Sequence, residues 1–356
     1  MSGRILARNS KFGKQWPHRA LNFLPPAQLW KYLIWKSGGT TPEPILNLGL
    51  GLQKVKKILV FLPESLQDLL VLLPMLQTLK HEVVGSEFCF VGKRQFLPFL
   101  SAVFGNAQSL TLDEQGFFWG DPHFKELGKT VLTFQPDLSL DLNPFKSPLQ
   151  AYLIRIARAS FRVQLEEKYP LPFANITLGS GPTENLLGIS LSLPQLWNFT
   201  EQPLKNKWSR LKPSPENLTE ARNRLLAKGL LPEKTELILW QNSTSTGEQE
   251  LLQKKVFERK PTGEQAALAI IVATGDLFKN SLPNSEILHA LPAFEVESVG
   301  LLLGFFYQTL QSVGTNGPVL HLASLADTQV EAHFKKEDAP YDTSFLNPKF
   351  KALYSA

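Results

Sequence analysis

A single cysteine among 356 residues leaves no partner for an intramolecular disulfide. That cysteine, Cys89, lies in the apolar run Phe88-Cys-Phe-Val91. In such a run a thiol is inert core rather than a nucleophile, and a reducing compartment suits the chain. Long hydrophobic runs are also missing. The apolar stretches 69–73 and 299–307 fall well short of the roughly 20 residues of a spanning helix. The N-terminal stretch 21–35 is interrupted by Pro25, Pro26 and Lys31, which does not suit a signal peptide. The six histidines lie far apart, without ligand spacing, so no metal site is expected. There is no Gly-x-Ser-x-Gly elbow, no recognised nucleic-acid module and no repeat at solenoid spacing. Gly49-Leu-Gly51 precedes a strand rather than following one, so it is not a dinucleotide fingerprint. Gly128-Lys-Thr130 lacks the earlier glycine of a phosphate loop, since position 123 is His, and a strand rather than a helix is expected after it.

The chain does have size and positive charge. Its length is comfortable for two domains. Its formal charge of +5 and pI of about 9.1 favour anionic partners. Residues 1–56 read as a basic arm. Arg4, Arg8, Lys11, Lys14, Arg19, Lys31 and Lys36 alternate with Trp16, Phe23, Trp30, Tyr32 and Trp35. That mixture suits either packing on the body or contact with an anionic membrane surface.

From residue 57 strands and helices alternate. Strands are expected at 58–62, 87–92, 109–112, 137–142 and 161–165, with helices near 65–80, 94–104 and 147–159. This pattern predicts an α/β fold with a parallel sheet covered on both faces. Pro74 should kink the first helix or set its packing. Residues 179–215, rich in proline, read as a connection. Beyond them come a helix at 216–228, strands at 236–240 and 267–273, and helices at 249–258, 297–311 and 317–325. Residues from 335 on read as a polar tail over the surface. The boundaries implied are 1–56, 57–200, 201–340 and 341–356.

Two segments carry the chemistry. The first runs Lys57-Ile-Leu-Val-Phe-Leu-Pro-Glu-Ser-Leu-Gln-Asp68, a strand, a turn and the first turn of a helix that holds Leu73-Pro74. A carboxylate there sits at the carboxyl edge of a parallel sheet, where open α/β proteins place ligands. Alone, Asp68 would merely complement its helix dipole. The second segment, Gly314-Thr-Asn-Gly-Pro-Val-Leu-His-Leu-Ala323, follows a short strand and opens another helix. Two such turns in two halves suggest a cleft between two domains.

The Ser65-Leu-Gln-Asp68 turn resembles the Ser-x-Gly-Asp opening of the heptosyltransferase family, glycosyltransferase family nine. The stretch 136–142, with Arg155 and Arg162 after it, is similar to that family's next block. The 314–323 segment resembles its donor signature, Gly-Asn-Asp-Ser/Thr-Gly-x-x-His-x-Ala. The resemblance covers most of 57–333. It implies two Rossmann-like domains facing across a cleft, the GT-B arrangement, and inverting transfer of a sugar, commonly heptose from an ADP-sugar, to a lipopolysaccharide or related glycan acceptor. Asp68 would be the general base. Ser243, Thr244, Asn316, Gly317 and His321 would hold the donor phosphates, with the nucleotide-sugar as co-substrate and no metal or other cofactor. Partners would be that donor and a lipid-linked glycan, without nucleic acid. The location would be cytoplasmic, peripheral on the inner membrane face.

The chain departs from the pattern in particular places. Gln67 replaces the glycine before the base. Asn316, Gly317 and Pro318 stand for Asp, Ser/Thr and Gly. The segment after 236–240 has no lysine before Lys254. A non-catalytic GT-B scaffold that binds a glycan or protein is therefore the alternative.

Overall fold

A computed structural model gives the fold; it describes residues 5–7, 54–105, 107–112, 121–143, 148–165, 174, 176–178, 210–240, 266–274, 278, 291–326, 328–335 and 347–355. The chain divides into two compact units, Met1–Trp208 and Ser209–Ala356.

In the first unit the described strands form one seven-stranded sheet. Its strands are β1 (Ile5–Ala7), β2 (Lys57–Phe61), β3 (Glu87–Gly92), β4 (Gln108–Thr111), β5 (Leu138–Asp141), β6 (Phe161–Leu165) and β7 (Ile176–Leu178), in the order β1-β7-β6-β5-β2-β3-β4. All pair in parallel except β1, which adds antiparallel to β7. A central parallel strand is covered on both faces, and the run Ile58-Leu-Val-Phe61 is buried throughout. The helices are α1 (Leu66–Glu82), α2 (Leu97–Phe104), α3 (Pro122–Phe134) and α4 (Pro148–Ala157). Helix α1 continues through the buried Pro74, with Thr78 Oγ1 donating to the Pro74 carbonyl at 2.8 Å. Leu59, Phe61, Cys89 and Val91 pack with Phe124, Val131, Leu153 and Ile154 of α3 and α4.

Helix α3 corrects an expectation: the Gly128-Lys-Thr130 stretch lies inside a helix. Asp121 caps it, accepting from the His123 and Phe124 amides at 2.6 and 3.3 Å, and Pro122 supplies the first position.

In the second unit helix α5 (Pro215–Ala227) begins at Ser214, whose Oγ accepts from the Asn217 amide. It leads to strand β8 (Thr235–Trp240). Then come β9 (Ala267–Ala273), β10 (Ala293–Val296), helix α6 (Val299–Gln308), β11 (Gln311–Thr315), helix α7 (Pro318–Leu325), β12 (Val330–Lys335) and β13 (Phe350–Ser355). The strands lie in the order β10-β9-β8-β11-β12-β13, all parallel. The helix expected at 297–311 stops at Gln308, and Leu310 already donates its amide to the Thr235 carbonyl at the start of the sheet. The expectation of a surface tail is corrected at its end, where β13 pairs with β12 along six residues. Asn347 fixes the approach. It is fully buried, and its Nδ2 donates to the carbonyls of Ser324 and Thr328 at 3.2 and 3.1 Å. The helix expected at 249–258 lies outside the described residues.

Candidate active site

In the first sheet the strand order reverses between β2 and β5. A reversal of that kind opens a crevice at the carboxyl ends of the strands. The chain leaves β2 through Leu62-Pro-Glu64 and enters α1 at this edge. Ser65 caps the helix in an extended conformation (φ −98°, ψ 140°), its Oγ accepting from the Asp68 amide at 3.0 Å. Asp68 thus occupies the first helical turn and is half-buried. Burial raises its pKa above the ordinary carboxylate value, while its hydrogen bond with Ser65 pulls the other way. A half-buried carboxylate of raised basicity at the carboxyl edge of a parallel sheet suits a proton acceptor.

A second acid ends the neighbouring strand, with Asp141 in register beside Phe61. It is committed to structure. Gln150 Nε2 of α4 donates to Asp141 Oδ1 at 2.7 Å, and Asn143 Nδ2 donates to Gln150 Oε1 at 3.0 Å. All three are buried. Two exposed cations, Lys93 and Arg94, follow β3 at the same edge. Lys93 Nζ donates to the Glu64 carbonyl at 3.0 Å, which ties it to the turn before Asp68. Deeper in this unit, Arg155 and Arg162 are buried together. Desolvation, with Arg155 nearby, lowers the Arg162 guanidinium to about 10.

The second sheet reverses between β8 and β11. There β11 ends at Thr315, and Asn316-Gly317 leads into α7. Gly317, nearly extended (φ 159°, ψ 175°), is its N-cap, and Pro318 stands in the first turn. The Gly317 carbonyl accepts from the His321 amide at 3.1 Å, and His321 Nε2 donates to Asn316 Oδ1 at 3.0 Å. Asn316, Gly317 and His321 are therefore one knit turn, with the histidine buried and holding the amide of the loop. Pro318 has no N–H, so the backbone donors of the first turn are those of Val319 and Leu320. Ser243 and Thr244 lie outside the described residues. Among the described residues no three His, Cys, Asp or Glu side chains gather where a metal ion could sit.

No protein-family model matches the sequence, and no curated protein matches it. Solved structures do match. The glycosyl transferase family 9 protein from Veillonella parvula superposes with a TM-score of 0.60 at 13% identity, over 84% of this chain and 86% of that one. The E. coli ADP-heptose lipopolysaccharide heptosyltransferase II gives 0.57 at 13% identity, over 83% and 90%. E. coli heptosyltransferase WaaC, solved with ADP, gives 0.54 at 11% identity, over 84% and 93%. The fold is that of glycosyltransferase family 9. The resemblance read from the motifs thus holds at the level of the fold, in two Rossmann-like units of a GT-B type. Within this fold Asp68 follows β2 of one unit and the Asn316–His321 turn follows β11 of the other.

Sequence reasoning passed over Lys93, Arg94, Asp141 and the Glu331–His333 pair of β12. The signals were present. Asp141 interrupts the apolar run Leu138-Ser-Leu-Asp-Leu142, and Glu331 and His333 alternate with Val330, Ala332 and Phe334. A polar residue on a buried strand marks either a network or a site.

Proposed function

We propose that the protein is an inverting glycosyltransferase of the heptosyltransferase type. It would use a nucleotide-sugar, an ADP-heptose-like donor, and a lipopolysaccharide or related lipid-linked glycan acceptor. The observation that carries this reading is Asp68, a half-buried carboxylate of raised pKa at the switch point of a family 9 fold. The neighbours support the donor class, since one was solved with ADP and another is an ADP-heptose lipopolysaccharide heptosyltransferase. In the proposed step Asp68 takes the proton of an acceptor hydroxyl. The acceptor oxygen attacks the anomeric carbon from the face opposite the donor phosphate. The carbon–oxygen bond to that phosphate breaks, and the nucleoside diphosphate leaves with the electron pair. The amides of the first turn of α7 would meet the growing negative charge, with Asn316 held in place by His321. Ser243 and Thr244 would add hydroxyl donors. Lys93 and Arg94 supply the cations that an anionic acceptor requires at the edge where Asp68 stands.

The net charge of +5 supports work at the anionic inner face of a membrane, in the cytoplasm. Among the described residues no helix is long and apolar enough to cross one.

A specific observation favours the second reading, a binding scaffold without catalysis. Pro318 removes an amide from the phosphate turn, and Asn316 carries no charge. Calorimetry with ADP, UDP and GDP separates the two. Binding of one of these nucleotides is expected; heat from none of them rejects the transferase and leaves the scaffold.

A further inference from the structure

Strand β12 lies between β11 and β13, so it is interior to its sheet. Val330, Ala332 and Phe334 are fully buried on one face of it. Glu331 and His333 point to the other face. Their side chains are only 15% and 19% exposed. His333 Nε2 donates to Glu331 Oε1 at 3.1 Å, and the second carboxylate oxygen lies 3.8 Å from Lys351 Nζ on β13. Placing an acid and a histidine on the face of an interior parallel strand costs desolvation that an apolar pair would not incur. Stability alone does not call for such a pair, since apolar residues can serve a sheet as well.

Position does. Thr315 of β11 and His333 of β12 are register partners, which puts their backbones about 4.8 Å apart. Thr315 is the residue immediately before Asn316-Gly317. His333 thus stands one strand from the turn assigned to the donor phosphates, on the side of β11 away from β8. With Nε2 engaged by Glu331, the ring is held in one orientation and offers Nδ1. In the sequence that follows β8, residues 241–253 contain no lysine or arginine.

We infer that His333, oriented by Glu331, is a donor-site residue whose imidazolium ring, with Nε2–H held by Glu331, donates Nδ1–H to an oxygen of the terminal phosphate of the nucleoside diphosphate. This rests on the transferase reading and deepens it. Glu331 is a positioning residue that acts through the histidine, and Lys351 steadies Glu331 from the next strand.

The experiment is calorimetry on the full chain with ADP, UDP and GDP, each beside its monophosphate, for the wild type and for His333→Ala, His333→Gln and Glu331→Gln. His333→Ala is expected to weaken the diphosphate by about 10- to 100-fold, the range of one charge-assisted hydrogen bond. The monophosphate should change by less than about threefold. Glu331→Gln should produce a smaller loss with the same preference, because a neutral amide still orients the ring. His333→Gln keeps a neutral donor and should lie between wild type and His333→Ala; it serves as the test should the alanine variant fail to fold. A wild type that binds no diphosphate overturns the transferase reading and this inference with it. A wild type that binds one while the His333 variants match it overturns this inference alone. So does an equal loss for diphosphate and monophosphate, which indicates a structural effect.

Discussion

Asp68 carries two demands on one residue. Its amide completes the Ser65 cap of α1, and its carboxylate sits partly out of water. A raised carboxyl pKa means that the folded state holds the proton more tightly than the unfolded chain does. The resulting stability is present at low pH and is lost as pH rises through the raised value. At neutral pH the charged group therefore costs stability, as functional groups often do. Asp68→Asn is expected to raise the melting temperature by roughly 1–4 °C, while transfer falls about 10²- to 10⁴-fold and nucleotide affinity stays within about twofold. Differential scanning fluorimetry, a coupled transferase assay and calorimetry read the three quantities, and full turnover in the variant removes Asp68 from the mechanism. Because the base must be ionised, the acid limb of kcat should fall above 3.8, the ordinary aspartate value; a limb at or below it contradicts the buried base. Cys89 shows the opposite case, a residue silenced by burial. It is fully buried, and desolvation pushes its thiol up to about 12. Native protein should resist a maleimide for hours, and unfolded protein should be labelled at once, as intact mass would show. Both residues were legible in the sequence by their place: one at a strand-to-helix turn, the other inside an apolar run. Glu331 and His333 were not, because two polar residues in a short strand have no meaning until the register sets them beside Thr315.

Among the elements, α5 and α6 illustrate packing that composition does not announce. A Cβ built on Gly304 would lie 2.4 Å from the Asn217 backbone oxygen, and one on Gly300 would lie 2.4 Å from Asn217 Nδ2. The two helices therefore touch through glycine. Gly304→Ala must push backbone apart and is expected to cost about 1–3 kcal/mol in urea unfolding. Gly300→Ala meets only the end of a side chain that can turn away, so a smaller loss is expected. Equal losses would argue against this geometry. The apolar strands were readable as runs, and the caps at Ser65 and Ser214 as the residue types that fill such positions. Helix α3 was also written in the sequence. Asp121-Pro122 starts it, and Phe124, Leu127, Val131 and Phe134 repeat at helical spacing toward the core. The glycine at 128 drew attention to a phosphate loop instead. In the helix it faces α4, where an added Cβ would approach Ile156 Cδ1 to 3.3 Å. Strand β13 was harder, since the short Phe350-Lys-Ala-Leu-Tyr-Ser355 segment gains its pairing only from β12.

On the scale of the molecule, two compact units carry a basic chain. Their two switch points hold the two motifs that the sequence singled out, each at the carboxyl edge of its own sheet. The positive charge belongs to the whole chain and acts through long-range attraction, which salt screens. Sedimentation with anionic vesicles is therefore expected, weakening as ionic strength rises from 50 to about 300 mM. Deleting residues 1–40 should reduce it if the basic arm is the contact. Of residues 1–40, only Ile5–Ala7 fall among the described residues, as the strand paired with β7. Unchanged sedimentation of the truncated chain would end the role assigned to the arm.

By itself the sequence determined the strand–helix alternation, the covered parallel sheets, the inert cysteine and the places of Asp68 and of the Asn316–His321 turn. These depend on neighbours near in the chain: apolar runs, caps and turn residues. Tertiary structure alone decided the switch points, the commitment of Asp141 to Gln150, the glycine contact between α5 and α6 and the pairing that sets His333 beside Thr315. Strand order and register join residues far apart in the chain, and no local pattern of side chains encodes which strand will lie next to which.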